Sequence, residues 1–446
     1  MSSMNTKEYQ LTVLGMGYVG LTLAAVYAQA GFETCGVDID KDVVASLKKG
    51  VPPFHEQGLP ALLKETQKQL TFSTEIPTSK KKRVFVIAVG TSIDEHKMVD
   101  YRHLDQAVAD IALKIGEGDV VLLRSTVIVG TTRQRVVPLL EDMTGLKVGV
   151  DFFVGFAPER TVEGRAIEEL RTLPQIIASF TDVGQQIIGV FFQHVSEEIV
   201  VVESLECAEM VKLISNAYRD TVFAFANSVA IAAAEHNVDS HSLINAANHG
   251  YERNGIPLPS PGVGGYCLTK DPYLFAESGR SMPELADFVR AARAINDSMP
   301  HRVVDIVEKF IESHKLQSPS ITIVGLAFKS EPVTSDVRFS PSIDVVRSLK
   351  YKGYTNLAAF DRHVKDTVYT EHNLQKHKSL ADVAAHSDVL VFMHGNKLDL
   401  DPEVVSILKK RAGNQLLLDT WNVYANQVWA KEDGIVYSTL SAQWNK

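Results

Sequence analysis

Cysteine is scarce: Cys35, Cys207 and Cys267 are the only three in 446 residues. They lie far apart, form no Cys-x-x-Cys pair and have no histidine at ligand spacing. That argues against a disulfide framework and against a metal site. A reducing cytoplasm fits such usage and keeps a thiol available for chemistry. Long apolar runs are missing too. None reaches the ~18 residues of a membrane span, and the stretch Met1–Gln10 is polar, without the apolar segment of a signal peptide. Positive charge is in deficit, 45 Lys and Arg against 54 Asp and Glu, a net charge of −9. Such a surface repels nucleic-acid backbones and anionic membranes unless a local basic cluster opposes it. The one basic run, Lys80 to Arg83, leads into the apolar Val84–Val89. It reads as a solvated loop before a buried strand, so neither nucleic acid nor a membrane is expected as a partner.

What is present is ordinary globular material, 45% hydrophobic and 22% charged, in a chain long enough for two or three domains. Apolar runs at Leu11–Leu14, Thr34–Val37, Val84–Val89, Val120–Leu123 and Phe152–Val154 alternate with helix-period segments at Val19–Ala30, Leu104–Ile115 and Thr131–Met143. Continuous apolar strands alternating with helices predict a parallel sheet covered on both faces. From Leu205 to His236 there is neither Gly nor Pro, and apolar residues recur at helical spacing. One long helix is expected there, with Ser204 as its cap, joining two domains or forming a subunit interface. Helical segments follow around Glu284–Asn296 and Val303–His314. After the linker Leu316–Ser320, strands at Ile321–Ala327, Leu357–Phe360, Val389–Phe392 and Leu416–Leu418 predict a second α/β domain. The fold class is therefore α/β, two Rossmann-like doubly wound domains joined by a long central helix.

Gly15-Met16-Gly17-Tyr18-Val19-Gly20 carries a G-x-G-x-x-G spacing between a strand and a helix, the context a dinucleotide fingerprint requires. Gly15 makes the tight turn, Gly17 admits a pyrophosphate, and Gly20 permits close helix–strand packing. Tyr18 and Val19 open the helix whose free N–H groups face the phosphates. Asp38 stands where the second strand ends, the place of a ribose-binding carboxylate. It favours NAD over NADP, because a carboxylate repels a 2′-phosphate.

The densest run of Pro and Gly is Arg253 to Asp271, which reads as a shaped loop carrying Cys267. Lys270 and Asp271 follow the thiol closely, and a neighbouring cation favours thiolate. Taken alone, such a cysteine is more readily a small buried apolar residue than a nucleophile.

In order along the chain stand Gly15-x-Gly17-x-x-Gly20, Ser125-Thr126-Val127, Ala157-Pro158-Glu159-Arg160, Ala208-Glu209-x-x-Lys212-x-x-x-Asn216, the Cys267 loop and Gly325-Leu326-Ala327-Phe328-Lys329. With these motifs the chain resembles the UDP-glucose/GDP-mannose dehydrogenase family over nearly its whole length. The resemblance implies three regions: residues 1–203 binding NAD, 204–300 a helical dimerisation region carrying catalytic residues, and 301–446 binding the nucleotide sugar. It implies NAD-dependent oxidation of a nucleotide sugar's C6 alcohol to the acid, with two NAD per turnover, in a homodimer or larger assembly serving polysaccharide biosynthesis. By the same resemblance Lys212 and Asn216, one helical turn apart, face the C6 oxygen. Cys267 forms a thiohemiacetal and then a thioester, Asp271 organises the proton transfers, and Thr126 and Glu159 flank the hydrolytic water. Thr91 and Thr126 belong to the cofactor site. Glu159, Arg160, Glu163, Lys212, Asn216, Arg253, Gly264, Lys329 and Arg338 belong to the substrate site.

Departures from the family pattern are Val89-Gly90-Thr91-Ser92 in the cofactor loop, Tyr266 before the cysteine, Trp421 where an arginine is common, and a spacing from Lys329 to Arg338 longer than in the glucose-type enzymes. Gly262–Gly265 and Pro158–Thr161 resemble the N-acetylhexosamine branch, which favours UDP-N-acetylmannosamine or UDP-N-acetylglucosamine. Cys267-x-x-Lys270-Asp271 resembles the UDP-glucose branch, so UDP-glucose and, behind it, GDP-mannose stay open. A single-step hydroxyacid dehydrogenase and a non-catalytic nucleotide-sugar sensor are the competing classes.

Overall fold

The computed structural model describes residues 8–395, 402–410, 415–425, 427 and 435–441, so Met1–Lys7 of the polar N-terminal stretch lie outside the described residues. The chain divides into two compact units, Met1–Asn216 with Lys270–Met282, and Ala217–Thr269 with Pro283–Lys446.

The first unit contains β1 (Tyr9–Leu14), β2 (Thr34–Val37), β3 (Leu70–Ser73), β4 (Lys82–Ile87), the small hairpin β5 (Ser92–Ile93) and β6 (Val99–Asp100), β7 (Val120–Leu123), β8 (Phe153–Phe156), β9 (Gln175–Ser179) and β10 (Ile199–Val201). The main sheet runs β10-β9-β8-β7-β4-β1-β2-β3. Pairing is parallel from β3 through β8, and only β9 runs antiparallel to its neighbour β8. Along β4, Val84 and Val86 enter one apolar cluster while Phe85 and Ile87 enter another. Alternate side chains meet helices on opposite faces, which is why the strand reads as an unbroken apolar run. The strand ends at Ile87 rather than Val89, and it begins at Lys82. Arg83 is therefore buried in the sheet. It donates to Asp119 at 3.3 Å and lies 4.7 Å over the Phe85 ring. Only Lys80–Lys82 form the solvated part of the basic run. The short β3, β9 and β10 go unread in the sequence because their pairing, not their periodicity, makes them strands.

The long helix spans Leu205–Glu235, and Ser204 Oγ caps it by accepting from the Cys207 N–H at 3.1 Å. Helix Pro283–Ser313 is continuous through Pro300, where the sequence suggests two segments. Met299, Val303, Val307 and Phe310 are buried in the core of the second unit. That burial outweighs the ~3 kcal/mol cost of an interior proline.

The second unit's sheet contains β11 (Ile321–Val324), β12 (Leu357–Phe360), β13 (Gln375–Lys376), β14 (Val389–Phe392), β15 (Gln415–Asp419) and β16 (Ile435–Ser438). Its order is β13-β12-β11-β14-β15-β16, with every pairing parallel. Both sheets are doubly wound, and each places a switch point beside its first strand, β1/β4 and β11/β14. Ligands of such sheets bind beyond the carboxyl ends there.

Candidate active site

At the carboxyl end of β1 the chain turns at Gly15, whose φ is +93°. A side chain there meets Ala88 O at 2.8 Å, and one at Gly20 meets Gly15 O at 1.9 Å. Nothing lies within 4 Å of a side chain built at Gly17. Turn, packing and open approach thus fall on the three glycines as the fingerprint requires. The helix then starts at Tyr18 without a side-chain cap, so no capping side chain competes with an anion at its N-terminus. Asp38 Oδ2 accepts from Met16 N at 2.7 Å and Oδ1 from Asp40 N at 3.0 Å. A carboxylate has about four acceptor positions, so capacity for ribose hydroxyls remains. These residues fit a dinucleotide. Tyr18 stacks on Phe54 at 3.9 Å, an aromatic partner that sequence reasoning missed. Val19 is half-buried on the same helix. Thr91 is buried beside the β5–β6 hairpin, the local form of the departing Val89–Ser92 segment.

Beyond β7, Ser125 donates to Val89 O at 2.7 Å and leaves Thr126 half-buried at the strand end. The turn after Thr126 is held by Glu209. Its carboxylate accepts from Gly130 N at 2.5 Å, Thr132 N at 2.8 Å and Thr132 Oγ1 at 2.6 Å. Burial nevertheless pushes the Glu209 carboxyl above its usual range, with those bonds opposing. Glu159 does not pair with its neighbour Arg160. Its Oε2 accepts from Arg124 Nε at 3.0 Å and Nη2 at 2.6 Å, and its Oε1 from Thr161 N at 2.8 Å. Burial alone raises its carboxyl. The Arg124 guanidinium, the Thr161 N–H and the Lys212 ammonium overcome that and hold it below the usual carboxylate range. Arg124 is fully buried, and no local motif marks it. Arg160 donates to Pro174 O at 2.8 Å, and Glu163 is half-buried in the turn after β8.

Asp271 is fully buried, accepting from Asn216 Nδ2 at 2.5 Å and Lys270 Nζ at 2.5 Å. Lys212 lies one turn before Asn216 on the long helix and is half-buried. The first unit therefore joins Asn216, Asp271 and Lys270 in one buried group, and brings Lys212 electrostatically to Glu159. Lys270, which reads in sequence as a cation for the thiol, has its ammonium on Asp271.

Cys267 belongs to the second unit and is half-buried. Its loop packs against the segment after β11. A side chain at Gly264 meets Phe339 O at 2.2 Å, and Gly265 N donates to that oxygen at 3.3 Å. Lys329 extends over the Phe328 ring at 5.7 Å. Arg338 makes a fork to Asp336 at 2.6–3.0 Å and lies 5.0 Å over the ring of Tyr266, the residue before the cysteine. Cys267, Gly264 and Arg338 are thus one structural neighbourhood. Arg253 stands apart, exposed in the loop after helix Ser240–Asn248, over its own neighbour Tyr251 at 4.5 Å. Trp421 is structural: its indole donates to Met393 O at 3.0 Å and covers Gly395.

Sequence models of the UDP-glucose/GDP-mannose dehydrogenase family match along the chain: the NAD binding domain at residues 9–195, the central domain at 206–298 and the UDP binding domain at 322–426. The chain belongs to this family. It is 30% identical to a UDP-N-acetyl-D-mannosamine dehydrogenase of Methanococcus vannielii over 95% of both chains. It is also 30% identical to a UDP-N-acetyl-D-glucosamine 6-dehydrogenase of Pseudomonas aeruginosa, over 77% of this chain and 80% of that one. The solved UDP-N-acetylmannosamine dehydrogenase of Pyrococcus horikoshii superposes with a TM-score of 0.83 at 28% identity, over 97% of this chain and 99% of that one. This family member is an NAD-dependent nucleotide-sugar 6-dehydrogenase leaning to the N-acetylhexosamine branch. Among the described residues no helix is long and apolar enough to cross a membrane.

Proposed function

We propose that the chain oxidises the C6 alcohol of UDP-N-acetylmannosamine to the uronic acid in two steps, through a covalent adduct on Cys267. The reading rests above all on the buried Asn216–Asp271–Lys270 group, which begins three residues after the cysteine in the chain. NAD, when bound, would accept a hydride from C6 in each of the two steps, first from the alcohol and then, with a second NAD, from the Cys267 thiohemiacetal. Lys212 and Asn216 stabilise the negative charge that develops on the C6 oxygen. The Cys267 thiolate adds to the aldehyde carbon, and water later releases the acid from the thioester. Asp271, with Asn216 Nδ2 on one oxygen and Lys270 Nζ on the other, holds these groups in place and so organises the proton transfers at the C6 oxygen. Thr126 lies toward the water. Glu159 stays ionised, because Arg124 and Thr161 occupy its oxygens. It acts as a fixed charge beside Lys212 and not as a proton shuttle.

Lys329 and Arg338 suit the diphosphate, with Gly264 letting the loop approach the sugar. Glu163, Arg160 and Arg253 complete the proposed substrate contacts, Arg253 from its exposed loop in a homodimer of cytoplasmic location. The three regions 1–203, 204–300 and 301–446 are proposed as its functional divisions. The sugar follows the names of the relatives, and kcat/KM across UDP-N-acetylmannosamine, UDP-N-acetylglucosamine, UDP-glucose and GDP-mannose tests it. The first is expected to lead by ~10-fold or more, the scale of one discriminating polar contact. A lead for UDP-glucose overturns the assignment.

A further inference from the structure

The loop that carries Cys267 is gripped from behind by one side chain that no motif singles out. Arg293 lies on helix Pro283–Ser313 and is only 2% exposed. Its Nη2 donates to Val263 O at 3.2 Å and its Nη1 to Leu268 O at 3.5 Å. These two carbonyls bracket Gly264–Cys267. The same guanidinium pairs with Asp220 of the long helix at 2.6 Å and with Asp297. Asp220 is 1% exposed, and Asn296 Nδ2 donates to its Oδ1 at 2.8 Å, which fixes the carboxylate that orients the arginine. A second fastening sits at the entrance of the loop. Ser260 N donates to Asn227 Oδ1 at 2.8 Å, and Asn227 Nδ2 donates to Asn296 Oδ1 at 2.9 Å. Two neighbouring helical residues, Asn296 and Arg293, thus tie the long helix to both ends of the cysteine loop.

A lone ion pair buried at this depth gains little stability over apolar packing. Its planar fork, however, reaches two backbone carbonyls and a carboxylate together, which a point charge on a flexible stem does not. Pro and Gly crowd the loop and lend it few backbone hydrogen bonds of its own, so an external clamp sets its shape.

We infer that Arg293 is a positioning residue that fixes the Cys267 loop for capture of the aldehyde, an inference that rests on the covalent reading of Cys267. The first oxidation, alcohol and NAD to aldehyde, NADH and a proton, forms no bond to sulfur. Only the second half-reaction needs the thiolate placed on the aldehyde carbon. A displacement of about 1 Å at such a centre costs ~100-fold in rate. Loosening the clamp therefore uncouples the two oxidations rather than slowing both alike.

The test is R293K, which keeps the charge facing Asp220 and loses the fork. Acid formation is expected to fall ~100-fold, and NADH per sugar to fall from two towards one. The aldehyde becomes trappable by semicarbazide, and the KM for nucleotide sugar stays within about threefold, since no substrate contact is removed. Hydrogen exchange by mass spectrometry should show faster exchange in 260–268 and none in β11 and β12. A variant that still makes two NADH, with unchanged exchange in the loop, overturns the inference. If R293K does not fold, the pair is removed together as D220N/R293M and read the same way; if that also fails to fold, the pair is structural and the inference falls. Wild type is measured alongside. One NADH per sugar from wild type sinks the covalent reading itself, and loop exchange alone then decides the clamp.

Discussion

The two doubly wound sheets share a turn and differ in the segment after it. Past β1 the chain turns at Gly15 with φ +93°, and past β11 it turns at Gly325 with φ +95°. In each, the carboxylate ending the second strand accepts from the turn. Asp38 takes Met16 N at 2.7 Å, and Asp361 takes Leu326 N at 2.8 Å and Ala327 N at 3.2 Å. In the first unit the helix starts at once, at Tyr18; in the second the next helix starts only at Pro341. The proposed anion contacts differ accordingly: backbone N–H groups at a helix start in the first unit, and Lys329 and Arg338 on a long loop in the second. Asp361 is also saturated, since its Oδ1 accepts from His363 N and Val364 N and the residue is 8% exposed. Asp38 is half-buried and keeps acceptor capacity. The same turn leaves acceptor capacity on the carboxylate of one half and none on that of the other.

Removing the thiol tests the division most severely. Cys267→Ser is expected to lower steady-state acid formation on the order of 1,000-fold, as loss of a nucleophile does, with the KM for NAD unchanged. A shift in NAD binding breaks the separation of roles. Exchanging the paired carboxylates sharpens it. Asp38→Ala should raise the KM for NAD ~10–100-fold, the worth of a charged hydrogen bond of about 1.5–3 kcal/mol, and narrow the preference over NADP. Asp361→Ala should leave NAD binding alone and lower stability by roughly 3 kcal/mol, because it leaves buried N–H groups unpaired. Denaturant unfolding and NAD kinetics on both variants check this, and a reversed pattern refutes the comparison. Arg338→Ala should raise the KM for nucleotide sugar ~10-fold without affecting NAD, as expected for one charge-assisted contact.

The smallest effect concerns acid. The Glu159 carboxyl is held below its unfolded value by Arg124 against the cost of burial. Its contribution is therefore fully present above the unfolded carboxylate pKa of about 4.3 and lost as pH falls through the lower folded value. The melting-temperature gap between wild type and Glu159→Gln should shrink on acidification below that pH. A gap that widens contradicts the ionised state assigned to Glu159.

The glycine fingerprint, Asp38 and the long helix were legible because local spacing specifies them. Gly15 needs positive φ, Gly20 needs contact with Gly15 O, and Leu205–Glu235 lacks both helix breakers. The helix that carries Lys212 and Asn216 was legible through its period, whereas the roles proposed for these two residues and for Asp271 come from the family motifs. The contacts of Arg124, Glu209 and Arg293 were not legible, because their work is done across the fold. Arg124 grips Glu159 from just beyond the end of β7, Glu209 holds the turn that follows, and Arg293 reaches a loop some 25–30 residues distant. A buried charge at its partner is a tertiary fact, and no periodicity announces it. The joining of the segments around Glu284–Asn296 and Val303–His314 into one helix is likewise tertiary, since the core behind Met299 and Val303 keeps it whole through Pro300. Lys270 reads as a cation near the thiol by sequence proximity, and its bond to Asp271 is visible only in the fold.

The covalent role of Cys267 is tested most directly by counting NADH formed per UDP-N-acetylmannosamine consumed, with the product identified by mass. Two NADH and the uronic acid are expected from wild type. One NADH with the aldehyde as product, or two NADH from Cys267→Ser at the wild-type rate, contradicts that role.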